Sequence, residues 1–94
     1  MSDLDSKSKP ALAPRVRLQT DAVSGDPVLL YPEGLLILNQ TAHEIVLRFQ
    51  DDASIEEIIR SLQTEYEVDE EVLRGDVLET LADLKQRNLI VLSP

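Results

Sequence analysis

Four consecutive large aliphatic residues, Leu35-Leu36-Ile37-Leu38, stand between a Tyr-Pro-Glu-Gly turn and the first clear helix start of this 94-residue chain. A half-buried strand alternates apolar and polar side chains, because successive side chains point to opposite faces. Here Leu35 and Ile37 share one face and Leu36 and Leu38 the other, so both faces seek burial. A chain of this length folds as one small domain with few elements to cover two faces. The strand is therefore either central in the domain's own core, or it keeps one side for a partner.

The core has to be aliphatic, since the chain holds no Trp, one Phe (Phe49) and two Tyr (Tyr31, Tyr66). With no cysteine there are no disulfides, no thiolate chemistry and no cysteine-ligated metal, which fits a reducing cytosol. No apolar run approaches the roughly 18 to 20 residues of a membrane span. Met1-Ser-Asp-Leu-Asp5 lacks the basic-then-apolar pattern of a signal peptide. The expectation is a soluble cytoplasmic domain without a membrane partner.

Residues 1–14 read as a disordered tail or linker, rich in Ser, Lys and Ala with Pro10 and Pro14 and without a structural period. The folded domain is expected over residues 15–94. Arg15-Val-Arg-Leu-Gln19 alternates, with Val16 and Leu18 inward, as a half-exposed strand does. Ser24-Gly25-Asp26-Pro27 is a turn by composition, and Val28–Tyr31 is a second short strand. Pro32-Glu33-Gly34 makes a tight connection to the apolar run, giving an antiparallel hairpin.

Helix starts are marked. Thr41-Ala-His-Glu44 fits a capping box, with Asn39 a competing cap, and Ala42, Ile45, Val46 and Phe49 form the buried stripe. Ser54-Ile-Glu-Glu57 is a second capping box, followed by the stripe Ile55, Ile58, Ile59 and Leu62, with Tyr66 as end plug. Asp69 caps a third helix to about Arg87, where Asn88 suits a left-handed terminator before a short extended Leu89–Leu92. On that third helix Leu73, Val77, Leu81 and Leu84 make the core face. Leu78 and Ala82 lie to one side, flanked by Arg74 and Lys85, with Asp76, Glu79 and Asp83 facing the opposite way. Its apolar surface is thus wider than one stripe requires. Three strands followed by three helices make an α+β, winged-helix-like fold: a three-stranded antiparallel β-sheet followed by a three-helix bundle.

Catalytic machinery is missing from the pattern. His43 is the lone histidine and reads as a surface position in the first turn of a helix. There is no second His, no Cys and no Gly-rich phosphate loop. The pairs Glu56-Glu57 and Glu70-Glu71 are accounted for by the helix macrodipole. A non-enzyme without a bound metal is expected. The charge is uneven: Asp51 to Asp83 holds 12 acidic and 2 basic residues, while the whole chain is −9. That field repels phosphate backbones, so no nucleic-acid partner is expected. The same acidity serves either as a solvated face or as a docking surface for a basic partner.

An ordered set of residues resembles the PqqD family of pyrroloquinoline quinone (PQQ) biosynthesis. It comprises Pro14-Arg-Val-Arg-Leu18, Leu29-Leu-Tyr-Pro-Glu-Gly34, Leu38-Asn39 with Thr41-Ala42, and Ser54-Ile-Glu-Glu-Ile58. It continues through Leu62, Tyr66, the Val77–Leu84 helix and Leu89-Ile-Val91. The chain departs from the family pattern at two turns, with Asp51-Asp52-Ala53 before the second helix and Asn88 before the last apolar residues. The resemblance implies a RiPP recognition element: a peptide chaperone or adaptor that captures the precursor peptide PqqA as an extra strand beside its third strand. It implies presentation of that peptide to the radical SAM enzyme PqqE, with no cofactor held by the domain itself.

An edge strand offers unpaired backbone groups to which an extended peptide adds, alternate side chains then filling pockets. On this reading the peptide groove lies between Leu35, Leu36, Ile37 and Leu38 and the Arg74, Leu78, Ala82, Lys85 flank of the third helix. Either pair of strand residues remains a candidate for the face toward the peptide. Glu56 and Glu57 are candidates for docking the partner enzyme. An open edge also invites dimerisation, so monomer and dimer are both compatible with the pattern. A winged-helix transcriptional module is the alternative from fold order. Its recognition helix would have to be basic, whereas Asp69–Arg87 holds six acids against Arg74, Lys85 and Arg87. A carrier protein would need a modifiable Ser in an Asp-Ser-Leu-like context. Ser54 follows Ala53 instead, and Asp5-Ser6 lies in the tail.

Overall fold

A computed structural model describes residues 7–93 of the chain. The elements run β1 (Lys9–Leu12), β2 (Arg17–Thr20), β3 (Pro27–Tyr31), β4 (Gly34–Ile37), α1 (Gln40–Phe49), α2 (Ile55–Glu65), α3 (Glu70–Gln86) and β5 (Ile90–Ser93). Strands β2, β3 and β4 form an antiparallel sheet in that order, and the helices follow it, giving the expected α+β arrangement. Among the described residues, no helix is long and apolar enough to cross a membrane.

Each turn of the sheet has a local cause. Between β2 and β3 the Asp21 carboxylate accepts from the Val23 N–H and the Ser24 hydroxyl, both at 3.0 Å. Those bonds, the Val23 N–H first, hold its carboxyl below the ordinary aspartate range. Gly25 takes φ 78°, which a residue without Cβ adopts freely, and its N–H reaches the Asp21 carbonyl at 2.8 Å. Pro32-Glu33 is the two-residue loop between the paired Tyr31 and Gly34.

The register stacks Leu18, Leu29 and Leu36 across the inner face of the sheet, where Leu29 is fully buried. The helices cover this face with the stripes that the periodicity predicts: Ala42, Ile45, Val46 and Phe49; Ile55, Ile58, Ile59 and Leu62; Leu73, Val77, Leu81 and Leu84. A fully buried aliphatic side chain of this kind is worth about 1.5–3 kcal/mol, so these stripes hold the helices on the sheet.

Ion pairs and caps fix the helices against one another. Arg48 of α1 donates to the Glu44 carboxylate at 2.6 Å, to the Ser61 hydroxyl at 3.0 Å and to Glu65 of α2. Asn39, not Thr41, caps α1: its Oδ1 accepts from the Ala42 N–H at 2.8 Å. Glu44 turns to Arg48, so the Thr41–Glu44 box does not form. The Ser54–Glu57 box is complete, with the Ser54 N–H donating to Glu57 at 2.9 Å and the Ser54 Oγ accepting from the Glu57 N–H at 3.2 Å. Asp69 caps α3 through the Glu71 N–H at 2.9 Å, and Asn88 ends it in the left-handed region at φ 63°.

The N-terminal stretch differs from the tail expected over residues 1–14. Residues 1–6 lie outside the described residues, as does Pro94. Lys9–Leu12 is strand β1, paired antiparallel with β5 in a second, two-stranded sheet. Pro10 and Leu12 alternate inward, and Pro10 is fully buried. The Ala13 N–H donates to the Leu89 carbonyl at 2.9 Å, and the Ile55 N–H to the Ser8 carbonyl at 2.9 Å. Composition alone undervalues this segment, because Pro is admissible in an edge strand and β5, far off in sequence, supplies the partner.

Candidate functional site

Among the described residues, strand β4 is the edge of its sheet, with β3 on one side and no strand on the other. The Leu38 N–H donates to the Pro27 carbonyl at 2.9 Å, which sets the phase of the ladder. In an antiparallel pair alternate residues exchange hydrogen bonds, so Gly34, Leu36 and Leu38 turn their peptide groups toward β3. The N–H and C=O groups of Leu35 and Ile37 therefore point out of the free edge. Side chains divide the other way. Leu38 is buried and Leu36 packs on the core, while Leu35 is 51% and Ile37 59% exposed. The strand that is apolar on both sides anchors the domain by one face and leaves the second face and one edge open.

A cleft of about 690 Å³ runs along that edge, room for a short stretch of extended chain rather than a single side chain. Leu36, Ile37 and Leu38 form one wall, followed by Asn39, Thr41 and Ala42 at the start of α1. The facing wall is α3, through Asp76, Glu79, Thr80, Ala82, Asp83, Leu84 and Gln86. A smaller hollow of about 280 Å³ shares Thr41 and Asp76 with it and continues past the N-terminus of α3. It is lined by Leu62, Tyr66, Val68, Val72 and Leu73. Val72 and Val68 are exposed there, at 61% and 44%.

The eight residues singled out from the sequence are distributed unevenly. Leu36, Ile37, Leu38 and Ala82 line the cleft, and Leu35 contributes its backbone to the open edge without lining the cavity. Arg74, Leu78 and Lys85 lie on the other flank of α3 and do not line the cleft. Arg74 reaches Glu70 at 2.8 Å and Glu56 of α2 at 3.3 Å, pairs that push its guanidinium pKa further up. Leu78 is half-buried against the core. Both acids considered for enzyme docking have structural partners: Glu56 in that ion pair, Glu57 in the Ser54 capping box. The Ser54 backbone N–H, then its hydroxyl, holds the Glu57 carboxyl below the ordinary range.

The acidic flank of α3, Asp76, Glu79 and Asp83, is the one that meets β4. A helical wheel shows that these residues share a side. It does not show which side the sheet lies on, because the core stripe is symmetric between the two flanks.

Comparison with known proteins accords with this architecture. The chain resembles the "PqqA binding protein" of Xanthomonas oryzae pv. oryzae (strain KACC10331 / KXO85), at 35% identity over 96% of this chain and 98% of that protein. Among solved structures it is similar to the PqqD truncation of Methylobacterium extorquens PqqCD, described as a functional and stand-alone RiPP recognition element. That structure superposes with a TM-score of 0.73 at 30% identity, covering 87% of each chain. It is also similar to lasso peptide synthetase B1 complexed with the leader peptide, with a TM-score of 0.77 at 28% identity over 88% of this chain and 98% of that one. The profile of the family described as "Coenzyme PQQ synthesis protein D (PqqD)" matches residues 27–90, from the first residue of β3 through the open edge and all three helices to β5. The chain belongs to the PqqD family.

Proposed function

We propose that this chain is a cytoplasmic peptide adaptor of PQQ biosynthesis that captures the precursor peptide PqqA as a fourth strand on β4 and presents it to the radical SAM enzyme PqqE. The observation that carries the reading is the free edge of β4, whose unpaired Leu35 and Ile37 peptide groups border a cleft walled by α3. Main-chain hydrogen bonds along such an edge supply affinity, and pockets for alternate side chains supply selectivity. A PqqA-binding relative and a leader-peptide complex of a like-folded protein support a peptide as the ligand.

On this reading the added strand lies against Leu36, Ile37 and Leu38, with its inner side chains over Ala42, Ala82 and Leu84. The domain carries out no chemistry on the peptide: it holds the segment extended and leaves modification to the enzyme. The acidic start of α2, with Glu56 foremost, is the surface assigned to PqqE. Glu56→Lys is expected to weaken PqqE binding and leave peptide binding intact.

The direct test is a titration of isotope-labelled protein with PqqA. Backbone amides of Leu35 and Ile37 are expected to shift most, followed by those of α3 from Asp76 to Gln86. Shifts confined to other elements at micromolar peptide would sink the proposal.

A further inference from the structure

Every ionisable side chain that lines the cleft is acidic: Asp76, Glu79 and Asp83. Of the arginines on and next to α3, Arg74 pairs with Glu56 and Glu70, and Arg87 pairs with the cleft-lining Asp83 at 3.0 Å. Asp76 and Glu79 have no ion-pair or hydrogen-bond partner among the described residues, and both are exposed to the cleft mouth. Below them the floor is apolar, made by Leu36, Leu38, Ala42 and Leu84.

Resting on the peptide-adaptor reading, we infer that the captured segment turns at least one lysine or arginine toward α3, with its aliphatic stem on the apolar floor and its cation between Asp76 and Glu79. Chemistry and spacing both favour this occupant. Two unpaired carboxylates, Asp76 and Glu79, above aliphatic side chains suit a residue that is apolar along its stem and charged at its tip. An acidic or purely apolar side chain at that position either meets like charge or leaves the carboxylates unanswered. Along α3, Asp76 and Glu79 are three residues apart, a rise of about 4.5 Å, so a single cation between them reaches both.

The test measures binding of the full chain to the PqqA peptide encoded by the same organism, by calorimetry at low and at moderate salt. Glu79→Lys keeps the fold, since Glu79 is exposed and unpaired. It is expected to weaken binding about tenfold, and Asp76→Asn about threefold, in line with charge pairs at a partly exposed site. Wild-type affinity should fall several-fold as salt rises, because the pairs are screened. A peptide in which one Lys or Arg is replaced by Glu should lose affinity for the wild type and regain it with Glu79→Lys. Binding that is unchanged by Glu79→Lys and insensitive to salt overturns the inference. If the Leu35 and Ile37 amides still respond to peptide in that case, the adaptor reading stands alone; if they do not respond, both readings fail.

Discussion

Replacing Ile37 by proline removes a backbone donor that the sheet itself does not use. The Ile37 N–H points out of the free edge, since the ladder bond at this end of β4 comes from the Leu38 N–H to the Pro27 carbonyl. Ile37 is 59% exposed, so at about 1.5–3 kcal/mol for complete burial losing its side chain costs about 1 kcal/mol. Fixing φ near −65° in a strand adds strain, partly offset by the roughly 0.4–1 kcal/mol gained from a stiffer unfolded chain. A total loss of about 1–2 kcal/mol leaves the domain folded. Peptide capture suffers more. One hydrogen bond worth about 0.5–1.5 kcal/mol disappears, and the proline ring occupies the space in which the added strand must lie. More than tenfold weaker PqqA binding is expected, read by calorimetry on protein whose amide spectrum shows an intact core. Leu36→Pro is the opposite control. It removes a donor used by β3 and a half-buried side chain, and should lower stability by roughly 2–4 kcal/mol. If Ile37→Pro folds and binds peptide within twofold of wild type, strand addition at β4 is refuted.

Further consequences can be checked by unfolding and exchange. Asn39→Ala should cost about 1 kcal/mol in denaturant unfolding, while Thr41→Ala should cost less than half of that, because Asn39 supplies the cap of α1. Leu81→Ala, at a fully buried position of α3, should lose about 2–5 kcal/mol. Removing residues 1–12 deletes β1, and the amides of Val91 and Ser93, which the register sets against Ala11 and Lys9 in the hydrogen-bonded positions, should then exchange at rates near those of an unpaired strand. Glu57 has a folded pKa below its unfolded one. Its contribution is present above about pH 4.3, and is lost as pH falls through the lowered folded value. The stability difference between wild type and Glu57→Ala should therefore vanish in acid.

Much of the fold is written in local patterns. Three helix stripes, the Ser54 and Asp69 caps, the Asn88 terminator and the Pro32-Glu33 hairpin depend on residues close in sequence, and each lies where periodicity and capping chemistry put it. What local pattern could not supply was partnership across the chain. Lys9–Leu12 has no strand neighbour until β5 arrives from the far terminus. Two caps competed for α1, and Asn39 takes the role through the Ala42 N–H while Glu44 pairs with Arg48.

The cleft shows the same division between what a strand is and what stands beside it. An aliphatic run with both faces apolar was legible as a strand that is either central in the core or open on one side, and the choice depended on whether Leu36 or Ile37 met the core. The hairpin register answers that through Leu29, which is fully buried opposite Leu36. Orientation of the facing helix depended on something the wheel lacks. The flank with Arg74 and Leu78 offers more apolar surface, but α2 occupies it, and Arg74 is bound to Glu56 there. The flank left for β4 is thus the acidic one. A groove formed in this way combines an apolar floor set by the core stripe with a charged wall set by residues free of core constraints. On the proposed reading, substitutions at Asp76, Glu79 and Asp83 are therefore expected to retune which peptide is taken, while Leu36, Leu38 and Leu84 must stay apolar to keep the domain folded.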